Sequence, residues 1–301
     1  GLYRPRNYDR AFHGPVRARE ALASSYNVPA IELTDRVGVS SLLRTLQVAG
    51  FASLDRTADY YGLGLALGNG DVTLLELANA YRALANGGVW RPYWWWAVPS
   101  GVRADSEAGR RVMSRGAAAL VLDVLSDPVA RIPGFGLSTP FDFPFPVAVK
   151  TGTSRHFTDN WAVGTTGGFT VAVWVGNFSG RPMDDVSGVT GAGPLLHRAI
   201  ILSAQVHAPG VLASPASVGA VPVSICRLSG LRATPQCPGM VEWFVPGTEP
   251  VRSCDWHRGG SAHLPTEYAE WAAQAGPPEV PVREAATSAG PPADPEPFRI
   301  L

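Results

Sequence analysis

Apolar positions recur three and four residues apart in several stretches of the first 125 residues, then at every second residue in stretches between 147 and 175, so the chain reads as a helical part followed by a sheet part. In the helical part Pro15 suits a first turn, and Ala18, Ala21 and Leu22 continue an amphipathic stripe toward Ser25. Pro29 is expected to open a second helix through Val37, and a third runs from Ser40 to Ala49 with Gly50 as its stop. The clearest helix covers 73–86: Thr73 and Glu76 form a capping box, Leu74, Leu77, Tyr81 and Leu84 make one stripe, and Gly87-Gly88 ends it. Residues 89–112 carry no period and are expected to be irregular. Ser114 caps a helix through Leu125 that stops at Asp127-Pro128.

Beyond Pro146 the period is two. Val147 and Val149 alternate into Lys150, Asn160 to Thr165 forms a second strand, and Phe169 to Asn177 a third with Val171, Val173 and Val175 on one face. The short connections predict an antiparallel meander, and Pro194 starts a helix through about Val206 that packs on it. Helices, then strands, then a closing helix make an α+β fold. Residues 208–222 read as a linker, 223–260 as a small module holding all three cysteines, and the text beyond, such as Gly276-Pro277-Pro278 and Gly290-Pro291-Pro292, as Pro-rich and extended.

The 25 basic and 25 acidic residues cancel, which argues against nucleic acid or a polybasic membrane patch, and no apolar run approaches the roughly 18 residues of a membrane span. Among the 25 basic residues the only lysine is Lys150. Arginine replaces lysine freely on solvated surfaces but not where a compact ammonium with a tunable pKa is needed.

Lys150 opens Lys150-Thr151-Gly152-Thr153-Ser154 at the end of an alternating strand. Its ammonium can share a proton with a hydroxyl, and the hydroxyls of Thr151 and Thr153 can bind a carboxylate. Gly152 leaves room for an extended substrate to pair with the strand, and the Thr153 amide can face a developing oxyanion. Ser25-Tyr26-Asn27 is the only Ser-x-Asn in the chain and lies 125 residues before Lys150.

These two motifs resemble the second and third signatures of the penicillin-recognising serine acyltransferases. Asn7-Tyr8-Asp9, Phe12-His13-Gly14-Pro15-Val16, Tyr60-Tyr61-Gly62-Leu63, Asp159-Asn160-Trp161-Ala162-Val163-Gly164 and Val173-Trp174-Val175-Gly176 extend the resemblance to the bifunctional class A penicillin-binding proteins. The Thr153-Ser154 ending and the module with Cys226, Cys237 and Cys254-Asp255-Trp256-His257 are most similar to the 1C type.

The resemblance implies a β-lactamase/transpeptidase-like fold: an antiparallel sheet with a helical lobe, truncated at the N-terminus, over residues 1–207. It also implies a crosslinking D,D-transpeptidase acting through a serine acyl-enzyme. Ser25 and Lys150 would shuttle protons, Asn27 would hold the donor peptide, and Thr151, Gly152 and Thr153 would receive its terminal carboxylate and backbone. Implied partners are peptidoglycan stem peptides, β-lactams and other cell-envelope synthesis proteins, with no nucleic acid and no cofactor. The implied location is the periplasmic face of the inner membrane. The first signature, Ser-x-x-Lys, is absent, since Val147 stands three residues before the sole lysine. The expectation is therefore an internal piece, inactive alone, whose nucleophile, glycosyltransferase domain and membrane anchor lie upstream. Phe298-Arg299-Ile300-Leu301 would begin a C-terminal β-domain within the segment 261–301. Loss of the nucleophile helix would leave the sheet with an uncovered edge and face, which counts against independent folding. The alternative is a non-catalytic binding or scaffold module of the cell envelope.

Four weaker signals remain. Cys226, Cys237, Cys254 and His257 are compatible with one disulfide and a spare thiol, with a zinc site, or with inert thiols. Trp94-Trp95-Trp96 reads as loop packing or a docking surface. His13 reads as a loop brace, and His156 as a lining residue of the cleft rather than a base.

Overall fold

Local turn chemistry decides where each element starts, and burial decides which way it faces. The computed structural model describes residues 5–95, 109–184 and 186–275. The helical part contains α1 (Ala18–Ala23), α2 (Asn27–Val37), α3 (Val39–Val48), α4 (Ala58–Tyr61), a 3-10 turn over Gly62–Leu67 and α5 (Leu74–Ala85). Helix α2 begins two residues before Pro29. The proline sits inside the first turn, where its missing N–H would have no intrahelical partner. Helix α5 follows its sequence signals closely: Thr73 Oγ1 accepts from the Glu76 N–H at 3.2 Å, and the Thr73 N–H donates to Glu76 Oε2 at 2.9 Å.

Two stretches differ from the sequence expectation. Residues 89–112 are not wholly irregular, because β1 (Val89–Trp90) pairs antiparallel with β2 (Arg110–Arg111), and Arg110 lies over the Trp90 ring at 4.0 Å. After α6 (Arg115–Ser126), Asp127-Pro128 does end a helix but also opens α7 (Pro128–Phe135). Asp127 caps α7 by accepting from the N–H groups of Val129 and Ala130, and proline is favoured at a first helical position.

The sheet is β3 (Ala148–Thr153), β4 (Asp159–Thr165) and β5 (Thr170–Gly176), antiparallel in the order β3-β4-β5. A π-helical turn over Gly188–Ala192 leads into α8 (Gly193–Ala204). Alternation sends Val147 and Val149 to one face, where they join Phe141, Leu196 and Ile200; Val171, Val173 and Val175 pack against the same cluster. Ala148 points to the other face, against Leu122 and Leu125 of α6. Both faces are therefore covered along β3, and the bare face expected from the sequence is not found; β3 and β5 remain edge strands among the described residues.

Downstream come β6 (Val221–Cys226), which pairs with β7 (Gly239–Phe244), then β8 (His257–Arg258), which pairs with β9 (Ser261–Ala262), and α9 (Ala269–Ala275). The chain divides into two compact units, Gly1–Val223 with Val241–Glu249, and Ser224–Met240 with Pro250–Leu301. No helix among the described residues is long and apolar enough to cross a membrane. Trp96, the Pro-rich motifs and Phe298-Arg299-Ile300-Leu301 lie outside the described residues.

Candidate active site

Helix α1 ends in a Schellman turn: the Ser25 N–H donates to Leu22 O at 3.2 Å and the Tyr26 N–H to Ala21 O at 2.9 Å. The position that glycine usually takes in such a turn is held by Ser25, at φ +60°. A side chain in the left-handed region costs on the order of 1 kcal/mol and is retained where the surroundings enforce it, often at functional sites. The enforcement comes from α7. Ser24 Oγ donates to Ala130 O at 3.0 Å, and Gly134 lies so close that a Cβ there would stand 2.5 Å from Ser24 O.

Lys150 follows Ala148 onto the helical face of β3. Its Nζ donates to Ser25 Oγ at 2.5 Å and to Thr151 O at 2.8 Å. Burial of the ammonium pushes its pKa down to about 8. That value is close to the neutral range that suits a proton-transfer group.

Asn27 is not brought into this contact. It begins α2, and its Nδ2 donates to Arg6 O at 3.1 Å, while neighbouring Asn7 Oδ1 accepts from the Val28 N–H at 3.1 Å. The Asn27 amide is therefore committed to the N-terminal segment in this structure. Thr151, Gly152 and Thr153 lie along β3, bonded among the described residues to β4 on one side only. A Cβ at Gly152 would meet Trp161 Cβ at an ordinary 3.5 Å, so internal packing does not require glycine there. Thr153 Oγ1 accepts from the Gly188 N–H at 2.9 Å and keeps its own proton to donate. Gly188 has no room for a side chain, since a Cβ would stand 2.5 Å from Gly152 O.

Several supports were not read from the sequence. Arg19 of α1 binds Asp123 at 2.6 Å, Asp127 at 3.2 Å and Glu242 at 2.7 Å, fastening the Ser25 turn to α6 and α7. Burial opposes the charge on Glu242, but the bonds from Arg19 and the Trp243 amide hold its carboxyl below the ordinary value. Ser24, Gly134 and Gly188 are equally local-looking in sequence; only the Asp127-Pro128 cap could have announced α7. His13 fulfils its bracing role, stacked on Tyr26 at 4.2 Å with Nε2 2.9 Å from Asp9 Oδ2. His156 is exposed, at φ +63°, in the turn after Ser154. Asp159 secures that turn by accepting from Trp174 Nε1 at 2.9 Å and Thr158 Oγ1 at 2.9 Å. A cleft of about 390 Å³ lined by Arg131, Phe141, Phe145 and neighbours shares no residue with the Ser25–Lys150 contact.

Residues 2–177 match the family described as penicillin binding protein transpeptidase domain, and residues 216–259 match the penicillin-binding protein 1A C-terminal domain. Penicillin-binding protein 1C of Escherichia coli (strain K12) is 29% identical over 258 residues, covering 83% of this chain and 32% of that protein. The crystal structure of penicillin-binding protein 1A from Haemophilus influenzae superposes with a TM-score of 0.65 at 22% identity, covering 84% of this chain and 43% of that one. An imipenem acyl-enzyme complex of penicillin-binding protein A from M. tuberculosis gives 0.50 at 22% identity, over 66% and 51%. The chain thus spans about a third of the length of the E. coli relative. The α+β transpeptidase-like fold expected from the motifs is the fold of these neighbours.

Proposed function

The chain belongs to the penicillin-binding protein transpeptidase family, and we propose on that premise that it is the proton-relay and substrate-strand part of a serine D,D-transpeptidase. The observation that carries this reading is the 2.5 Å contact of Lys150 Nζ with Ser25 Oγ, made across 125 residues of sequence. A nucleophilic serine, supplied by polypeptide outside this chain in a Ser-x-x-Lys, attacks the D-Ala-D-Ala amide of a peptidoglycan stem. Ser25 delivers a proton to the departing D-Ala amine and recovers one from the Lys150 ammonium. An amine from a second stem then attacks the ester, and the relay runs in reverse to release the serine. Edge strand β3 receives the extended donor, with Thr151 and Thr153 on its carboxylate, and Asn27 turns from Arg6 O to the donor's amide side when substrate is present. The whole protein carries a glycosyltransferase domain as well and works on the periplasmic face of the inner membrane. β-Lactams are trapped as acyl adducts, the state named for the M. tuberculosis neighbour.

Labelling with a fluorescent penicillin tests this. The whole protein should form a covalent band, the 301-residue chain should not, and Lys150→Ala in the whole protein should lower the labelling rate by about 10²-fold or more. A labelled 301-residue chain, or an unimpaired Lys150→Ala protein, sinks the reading. A whole protein that never labels favours the scaffold alternative.

A further inference from the structure

The second unit has almost no apolar interior. Within 224–240 and the described residues from Pro250 on, the buried side chains are Ile225, Cys226, Cys254 and His257. The three buried apolar clusters all lie in the first unit. A module this small needs a staple in place of a core, and the residues at its centre are ligand types.

Backbone bonds bring two arms of the module together. The Cys226 N–H donates to Leu231 O at 2.7 Å, the Arg232 N–H to Arg252 O at 3.0 Å, and the Cys254 N–H to Arg232 O at 2.8 Å. One arm contributes Cys226 and Cys237, the other Cys254 and His257. Their four ligand atoms lie within 4.8 Å of one another. His257 Nδ1 stands 3.6 Å from Cys226 Sγ and 3.4 Å from Cys254 Sγ. A tetrahedral zinc with Zn–S of about 2.3 Å and Zn–N of about 2.0 Å sets its ligand atoms about 3.5–3.8 Å apart.

Two of the sulfurs also accept bonds from backbone amides. The Ser229 N–H donates to Cys226 Sγ at 3.4 Å and the Thr234 N–H to Cys237 Sγ at 3.1 Å. Amide donors to sulfur stabilise a thiolate more than a thiol. Thiolates crowded together repel one another unless a cation joins them. The three cysteines are free, so the disulfide anticipated as one option is not the state of this structure. A cleft of about 350 Å³ lined by Thr234, Gln236, Cys254, His257 and Arg258 offers an entry path.

We propose that Cys226, Cys237, Cys254 and His257 bind one zinc ion in a closed tetrahedral site that holds the second unit together. Sulfur and imidazole donors select zinc over hard cations, and four protein ligands leave no open position for catalysis.

The test is metal analysis together with thiol titration of the whole chain, purified without added reductant. One zinc per chain is expected, and replacement by cobalt should give the intense visible and thiolate charge-transfer bands of tetrahedral sulfur coordination. Cys254→Ser and His257→Ala should each lower zinc affinity at least about 10-fold, His257→Cys should restore much of it, and His263→Ala should leave it unchanged. Because the unmodified chain gives the stoichiometry and the cobalt spectrum, misfolding of a variant does not remove the test. The proposal is overturned by a chain that exposes three titratable thiols and takes up no added zinc. It is equally overturned by one that exposes a single thiol until a disulfide is reduced, or by a zinc content indifferent to His257.

Discussion

Gly1–Val223 with Val241–Glu249 gathers three apolar clusters, around Leu54, Leu122 and Leu196, whereas the described part of Ser224–Met240 with Pro250–Leu301 gathers three sulfurs and an imidazole. Where apolar burial supplies the stability, individual polar groups are released for chemistry. The first unit can hold a serine in a left-handed turn and a lysine ammonium out of water, two unfavourable features at one point. In the second unit three of the four side chains buried among the described residues are cysteine and histidine, which suits them to the structural task proposed above. Lys150 and the three cysteines look alike in sequence, as chemically capable residues set apart by their rarity, yet they stand on opposite sides of that division.

Substitutions can break or sharpen this contrast. Leu196→Ala opens a cavity in the cluster under β3 and should cost about 2–5 kcal/mol of unfolding free energy, with zinc content unchanged. Loss of zinc alongside would show that the units do not stand on separate foundations. Next in size is Glu242. Its carboxyl is held below the ordinary value, so its stabilisation is complete above the unfolded pKa of about 4.3 and disappears as pH falls through the lower folded one. Urea unfolding between about pH 6 and pH 3 should show Glu242→Gln less stable by about 1–3 kcal/mol at the upper end. The variant should also be flatter with pH, and parallel curves would remove Glu242 from the account. The smallest effect expected is Thr73→Ala, which deletes one half of a capping box and should cost about 1 kcal/mol without altering penicillin labelling of the whole protein.

Legibility followed the range of the interaction. The Thr73–Glu76 cap spans one helical turn, and α5 was read almost to the residue. The meander β3-β4-β5 was read because alternation and short connections are local too. Helix α7 is hidden in the sequence because Asp127-Pro128 is at once a good stop and a good start, and a stop is enough to explain it. The strand pair Val89–Trp90 and Arg110–Arg111 is hidden as well, because two residues are too few for a period. At the site, Ser25 and Lys150 were named as partners from their motifs. The sequence offered no sign that the same turn would leave the Asn27 amide on Arg6 O.

The chain's text determined which chemistry is available: one lysine, one Ser-x-Asn, three cysteines with a histidine, and the strand and helices that carry them. Periodicity and capping are set by neighbours a few residues away, so they can be read without a fold. Only tertiary packing decided which of those groups meet. The 2.5 Å approach of Lys150 to Ser25 depends on α7 holding Ser24, on Arg19 fastening α1 and on α6 supporting β3. The convergence of Cys226 and Cys237 with Cys254 and His257 depends on two backbone arms closing over Arg232. Side chains far apart in sequence are brought within bonding distance by the burial and hydrogen bonding of everything between them, which no single stretch of residues encodes.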